Sequence, residues 1–234
     1  MAWHAKPSGG WSTTDTEAQD NMIEIYNYLS SQGWSDIAVA GLLGNVANES
    51  GFNPWRWQND VVNLTSKYKG YGLVQFTPSY YYIGGRGAEA QFASYYGPNT
   101  STSTTVSGAD ANDGLAQLMV IETYHSDKFL DRRSYCSYAD LSDTYPYSSY
   151  KTLSDLWIAT VGWLYNYEYP EDRSYSVAYS RYQKAQACYE IITGATPPTP
   201  TPTPTPTPPL PTYSSDKRVC FYITKKYKRR RGLI

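Results

Sequence analysis

The chain has 234 residues, with 20 lysines and arginines against 21 aspartates and glutamates, a length that suits one packed domain of about 180 residues plus appendages without help from a metal or disulfide. Only two histidines, His4 and His125, are present, and the cysteines Cys136, Cys188 and Cys220 lack Cys-x-x-Cys spacing, so a zinc peptidase, a Cys/His amidase or a structural metal site has almost nothing to build from and no cofactor is implied. The N-terminal stretch has no apolar h-region and no run reaches the ~20 apolar residues of a membrane span, so neither a signal peptide nor a transmembrane helix is expected.

Residues 1–13, rich in Gly, Ser and Trp, read as an extended arm, and a helical domain follows over 14–194. Its first helix starts from the capping box Thr14-x-x-Glu17, places Met22, Ile25, Tyr26 and Leu29 on one face, and closes at Gly33. A second helix begins at Ser35, an N-cap, with Asp36 in its first turn. Its stripe of Ile37, Ala40, Gly41, Gly44 and Asn48 faces a core, and the two glycines suit the close approach of another helix. Gly51 and Pro54 stop it, which leaves Glu49 in the last turn.

Residues 55–87 form a turn-rich lobe that holds any strand content, with a short hairpin plausible, and the Ser/Thr-rich run from Gly97 to Asp110 is a loop that can border a cleft. Three more helices are expected, from about Asp113 to Leu130, from about Ser154 to Glu168 and from about Ser174 to Thr193. The fold class is α+β and mainly helical, five helices around one small irregular or β lobe.

The chemistry concentrates where the second helix ends. Glu49 faces the negative end of the helix dipole, and an apolar wall from Phe52, Trp55 or Trp57 would desolvate it; both effects raise a carboxyl pKa, as a general acid working near neutral pH requires. Gly70, Tyr71 and Gly72 suit a tight turn where backbone and ligand come close, from which the Gln75 amide would reach a sugar hydroxyl or acetamido group. With 25 tyrosines and 7 tryptophans in the chain, a cleft lined by Trp55, Trp57, Tyr71 and Phe76 would stack on the apolar faces of sugars.

Glu49-Ser50-Gly51-Phe52-Asn53-Pro54 together with Gly72-Leu73-Val74-Gln75-Phe76-Thr77 resembles the signature of the phage tail lysozyme family, and is similar to the Glu-Ser and Gly-Leu-x-Gln motifs of soluble lytic transglycosylases and goose-type lysozymes. The resemblance extends over residues 15–194, through Gln117 and Glu122, Tyr167-Glu168-Tyr169-Pro170 and the stretch Arg181 to Ala185. The sequence departs from the family after Thr77, where an arginine is common and Pro78-Ser79-Tyr80-Tyr81-Tyr82 stands here, with Arg86 later.

The resemblance implies a lysozyme-like domain that cuts the β-1,4 bond between N-acetylmuramic acid and N-acetylglucosamine in bacterial peptidoglycan, with Glu49 as proton donor and Gln75, Tyr71, Phe76 and Glu168 on the substrate. A two-carboxylate scheme takes its second group from Asp60 or Glu168; each also fits a plainer role, Asp60 as a turn residue and Glu168 as a helix-end contact. Without either, attack through the N-acetyl group or within the sugar needs Glu49 alone. The other reading is a lysozyme-like tail component that holds glycan without cutting it.

Residues 195–213 are a Pro/Thr linker, an extended spacer of about 3.1 Å per residue. Residues 214–234 form a basic tail with eight Lys or Arg against Asp216; residues before 213 carry 12 basic and 20 acidic groups, so −8 there faces +7 here. Such a tail suits an anionic wall polymer or a docking site on virion tail proteins, while the acidic balance of the domain argues against nucleic acid. The implied place of action is a virion tail or the outside of a bacterial wall.

Overall fold

A computed structural model of the chain describes residues 3–6, 8–60, 69–77, 113–124 and 128–198. The chain divides into two units, Met1–Thr203 and Pro204–Ile234, and the second lies wholly outside the described residues. The same holds for the 97–110 loop, most of the 55–87 lobe beyond Thr77, His125, the Pro-Thr spacer past residue 198 and the basic tail.

Helices dominate the described part: α1 (Thr16–Ser31), α2 (Asp36–Glu49), α3 (Asp113–Tyr124), the single turn α4 (Tyr147–Tyr150), α5 (Leu156–Trp163) and α6 (Tyr175–Thr193). The expected strand content reduces, among the described residues, to two isolated antiparallel bridges, Trp57 with Tyr71 and Tyr71 with Phe76. The chain turns too sharply between these residues for a ladder to propagate, because Asn59, Asp60, Gly72 and Gln75 all have positive φ.

Helix starts follow their caps. Ser35 Oγ accepts from Ala38 N–H at 3.1 Å to open α2, and Asp155 Oδ1 accepts from Ile158 N–H at 3.0 Å to open α5. The first helix departs from expectation: its N-cap is Asp15, and the Thr14 capping box does not form. Asp15 Oδ2 instead takes the Ser12 N–H at 2.9 Å, tying the turn before the helix.

α2 is the central helix, buried from Ile37 to Val46 and packed chiefly on α6 and α5. Its glycines work as the sequence suggests. A side chain at Gly41 would strike Ala159 of α5, and one at Gly44 would strike the Arg181 carbonyl and Ala185 of α6. The helix axes therefore close to a distance that only hydrogen at these positions permits.

The N-terminal segment is extended, yet it packs on the domain. Trp3 is buried against Gly114 of α3, where a Cβ would overlap its ring. Buried Asn21 takes the His4 N–H at 2.8 Å and donates to the carbonyls of His4 at 2.9 Å and Phe52 at 2.8 Å. Buried Asn53 donates to the carbonyls of Lys6 at 2.8 Å and Gly9 at 2.7 Å, and Trp11 N–H bonds the Gly51 carbonyl at 2.9 Å. Two buried amides thus stitch the arm to the loop that follows Glu49.

Gly44→Ala is expected to destabilise the protein by about 1 kcal/mol or more, since overpacking against a rigid carbonyl outweighs the helix-propensity gain. Urea unfolding measures the difference, and a neutral or stabilising result would contradict the close-contact account.

Candidate active site

The turn that follows the Glu49 loop is assembled from backbone bonds around Tyr71. Tyr71 and Phe76 exchange N–H···O bonds at 3.2 and 2.7 Å, Gly72 N–H reaches the Arg56 carbonyl at 2.8 Å and Gln58 N–H the Gly70 carbonyl at 3.0 Å. Gln117, fully buried on α3, then locks the turn from beneath: its Oε1 accepts from Leu73 N–H at 2.7 Å and its Nε2 donates to the Pro54 carbonyl at 2.7 Å. The Gln117 amide occupies the space a Cβ at Gly72 would need, and Gly72 has φ +83°, so both sterics and backbone demand glycine there.

Gln75 lines the cleft and also ties this turn together. Its Nε2 donates to the carbonyls of Arg56 at 3.1 Å and Gly72 at 3.0 Å, which commits both amide hydrogens to the turn and leaves only Oε1 for a ligand. Tyr71, Trp55 and Trp57 are not cleft walls. All three are buried, with Tyr71 packed on Trp57 at 4.8 Å between ring centroids, so they are the core of the small lobe. The rings are large and their lobe is short, so packing takes them first.

A cleft of about 420 Å³ opens above the turn, within the ordinary range for small-ligand sites. Its lining brings together Glu49, Gln75, Phe76 and Glu168, along with Arg56, Asn59, Lys128 and Tyr167. Asp60 is not among the lining residues. Its Oδ1 accepts from Arg56 Nε at 2.8 Å and from Gly9 N–H at 2.7 Å, which makes it a turn residue that holds the N-terminal arm.

One carboxyl of the cleft, Glu49, is held by a buried arginine. Arg181, 8 % exposed on α6, donates to Glu49 Oε1 at 2.6 Å and to Asn45 Oδ1 at 3.1 Å. Asn45 lies one turn before Glu49 on α2 and is itself oriented by donating to the carbonyls of Gly41 at 2.8 Å and Thr160 at 3.1 Å. The close α2–α6 contact at Gly44 therefore carries the guanidinium to the end of α2.

Glu168 arrives from the other side, on a π-helical turn, Leu164–Glu168, that extends α5. Trp163 and Tyr167 stack across this turn at 4.3 Å, and Trp163 Nε1 donates to Glu168 Oε1 at 3.0 Å. Burial, with Glu49 second, pushes the Glu168 carboxyl up to about 8, while Arg181 and the Trp163 bond pull the other way. The elevated acid is one of the two, Asp60 and Glu168, that the sequence offers as a second carboxylate. Sequence reasoning assigned Arg181 no role; its spacing on α6 carries no signal until α2 and α6 are docked.

Glu122 serves the interior instead. It accepts from Trp34 Nε1, from Tyr147 Oη at 2.9 Å and from Lys151 Nζ at 2.8 Å, joining α3 to the loop before α2 and to α4. Cys136 and Cys188 are free thiols, and burial raises both.

A mainly helical domain with a carboxyl-bearing cleft at the end of its central helix is consistent with a lysozyme-like architecture. The family model described as phage tail lysozyme matches residues 20–192, and the chain belongs to that family. It is also similar to Morphogenesis protein 1 of Bacillus phage B103, 48 % identical over 63 residues, a stretch that spans 27 % of this chain and only 17 % of that relative.

The raised Glu168 has a consequence for stability. A carboxyl held above its unfolded value contributes stability that is full below about 4.5 and is lost as pH rises through about 8. The melting temperature is expected to fall between about pH 5 and pH 8, and Glu168→Gln, neutral throughout, to remove most of that slope. Calorimetric melts of both proteins check this, and an equal slope in the variant would refute it.

Proposed function

We propose that this protein is a peptidoglycan glycosidase that cleaves the β-1,4 bond between N-acetylmuramic acid and N-acetylglucosamine, acting as a tail-associated or lysin-type enzyme. The observation that carries the reading is the pair of carboxyls, Glu49 and Glu168, at the wall of one cleft, with buried Arg181 bonded to Glu49. Membership of the phage tail lysozyme family supports the substrate class, and likeness to a phage morphogenesis protein supports a particle-borne origin.

In this mechanism a carboxyl of the cleft supplies the proton that the leaving oxygen needs. Glu49, at the open end of α2, delivers it to the glycosidic oxygen as the C1–O bond breaks. The carboxylate left behind is stabilised by Arg181, already in place at 2.6 Å, so no reorganisation accompanies the charge. The cationic sugar is captured either by water, giving a reducing end, or by its own C6 hydroxyl, giving an anhydro end; in both cases Glu49 takes back the proton of the attacking hydroxyl. Phe76 borders the sugar, and Gln75 shapes the turn beneath it while offering Oε1 as an acceptor.

The basic tail attaches the domain to anionic wall polymer or to virion tail proteins. Neither the tail nor a cofactor enters the chemical step.

Glu49→Gln is expected to reduce turbidity loss on purified peptidoglycan to less than about a tenth of wild type with folding intact, because the amide keeps the shape and cannot donate the proton. Residual activity above that level would remove Glu49 from the donor role. Mass spectrometry of the products separates the two outcomes: anhydro ends mark capture by the C6 hydroxyl, and reducing ends mark capture by water. A wild-type protein that binds glycan without releasing any product would support the non-catalytic reading instead.

A further inference from the structure

The π turn that directs Glu168 into the cleft also sets Tyr169 in a left-handed conformation, φ +45°, with its N–H bonded to the Leu164 carbonyl at 2.8 Å. A tyrosine in that region is a strained choice, and such residues gather at sites of function. Two guanidiniums lie against its ring, Arg132 at 4.0 Å and Arg173 at 4.3 Å from the centroid. Neither has a carboxylate or side-chain hydrogen-bond partner among the described residues. The acids beside them in sequence are engaged elsewhere: Asp131 binds Arg133 at 2.8 Å, and Asp172 accepts from Ser174 N–H at 3.0 Å.

Both arginines stand on fixed backbone. Buried Asn166 holds the first segment, accepting from Arg132 N–H at 3.1 Å through its side chain and from Leu130 N–H at 2.9 Å through its carbonyl. The hydroxyls of Tyr165 and Tyr138 hold the second, donating to the Arg173 carbonyl at 2.9 and 3.2 Å. Tyr135, 61 % exposed, sets its ring edge-on to Tyr169 at 5.8 Å and adds an apolar face beside the charges. Two like charges gathered on one ring with their N–H edges uncommitted form a receptor for an anion, and the planar fork of arginine matches a carboxylate.

We propose that Arg132 and Arg173, held against Tyr169, form a subsite for a carboxylate carried on a muramyl residue, either the stem peptide's or the free lactyl group where the peptide is absent. The proposal rests on the glycosidase reading, because Tyr169 directly follows Glu168, and a muramyl sugar in the cleft brings its acidic substituent to this flank. A phosphate polymer is the less suitable ligand: the residues before 213 carry net −8, which repels a long polyanion while leaving room for one local carboxylate.

The test uses full-length protein carrying Glu49→Gln, with binding measured calorimetrically on soluble disaccharide-peptide oligomers and on the same oligomers with their carboxylates amidated. Adding R132Q and R173Q together is expected to weaken binding of the acidic oligomer about tenfold and to leave binding of the amidated one unchanged. Should the double variant melt early, each single substitution carries the same comparison, with an expected loss of about threefold. No loss, or an equal loss for both ligands, overturns the proposal. A loss seen only with soluble wall teichoic acid also overturns it, by assigning the site to phosphate. Failure here leaves turnover by the unsubstituted protein on peptidoglycan intact, whereas absence of that turnover refutes the glycosidase reading by itself.

Discussion

The site depends on one buried cation bonded to the acid at the end of the central helix. Arg181 reaches Glu49 because α6 lies directly on α2, and α6 lies there because Gly44 has no side chain to hold it off. Removing that guanidinium would leave Glu49 without its ion-pair partner in a cleft that also holds Glu168. Asn45 adds the restraint that a bare ion pair lacks. It fixes the guanidinium from a second direction while its own amide is spent on α2 and α5.

The other governing feature is the change of helical pitch at the end of α5. A continuous α-helix would carry residues 164–168 along the axis, while the wider π turn displaces Glu168 toward α2 and throws Tyr169 into left-handed backbone. Stacked Trp163 and Tyr167 occupy the turn, and the Trp163 indole N–H takes one carboxyl oxygen. One local irregularity thereby sets the acid on the cleft side and the arginine-bearing tyrosine on its flank.

Much of this was legible in the residues. The Ser35 cap, the glycine stripe on α2 and the stop at Gly51 follow from local rules, and the structure obeys each of them. The motifs around Glu49 and Gln75 pointed to a family that the chain does belong to. Phe76, Glu49 and Glu168 line the cleft as their residue types suggest, while other side chains are turned to different tasks. Trp57 and Tyr71 look like sugar platforms in a list of aromatics, yet a lobe with so little secondary structure needs them as its core. Gln75 looks like a ligand donor, yet a turn with so many positive-φ residues needs its hydrogens. The Arg181 contact and the π turn depend on how distant segments dock, which no window of sequence contains. The docking of the N-terminal segment was missed for the same reason, since the asparagines that bind it, Asn21 and Asn53, lie in other elements.

That docking bears on when the protein becomes competent during synthesis. The segment made first, around Trp3 to Trp11, finds its partners only after Asn21, Gly51 and Asn53 have appeared, and its ring slot only after Gly114. The cation that pairs with Glu49 sits on the last helix of the domain, so a ribosome must pass well beyond Arg181 before Glu49 acquires its partner. The N-terminal segment closes on the loop after α2 and α6 closes on the end of α2 itself, so a chain that stops before Arg181 lacks the charge arrangement altogether. The assembled site therefore cannot form on any nascent fragment that stops before α6.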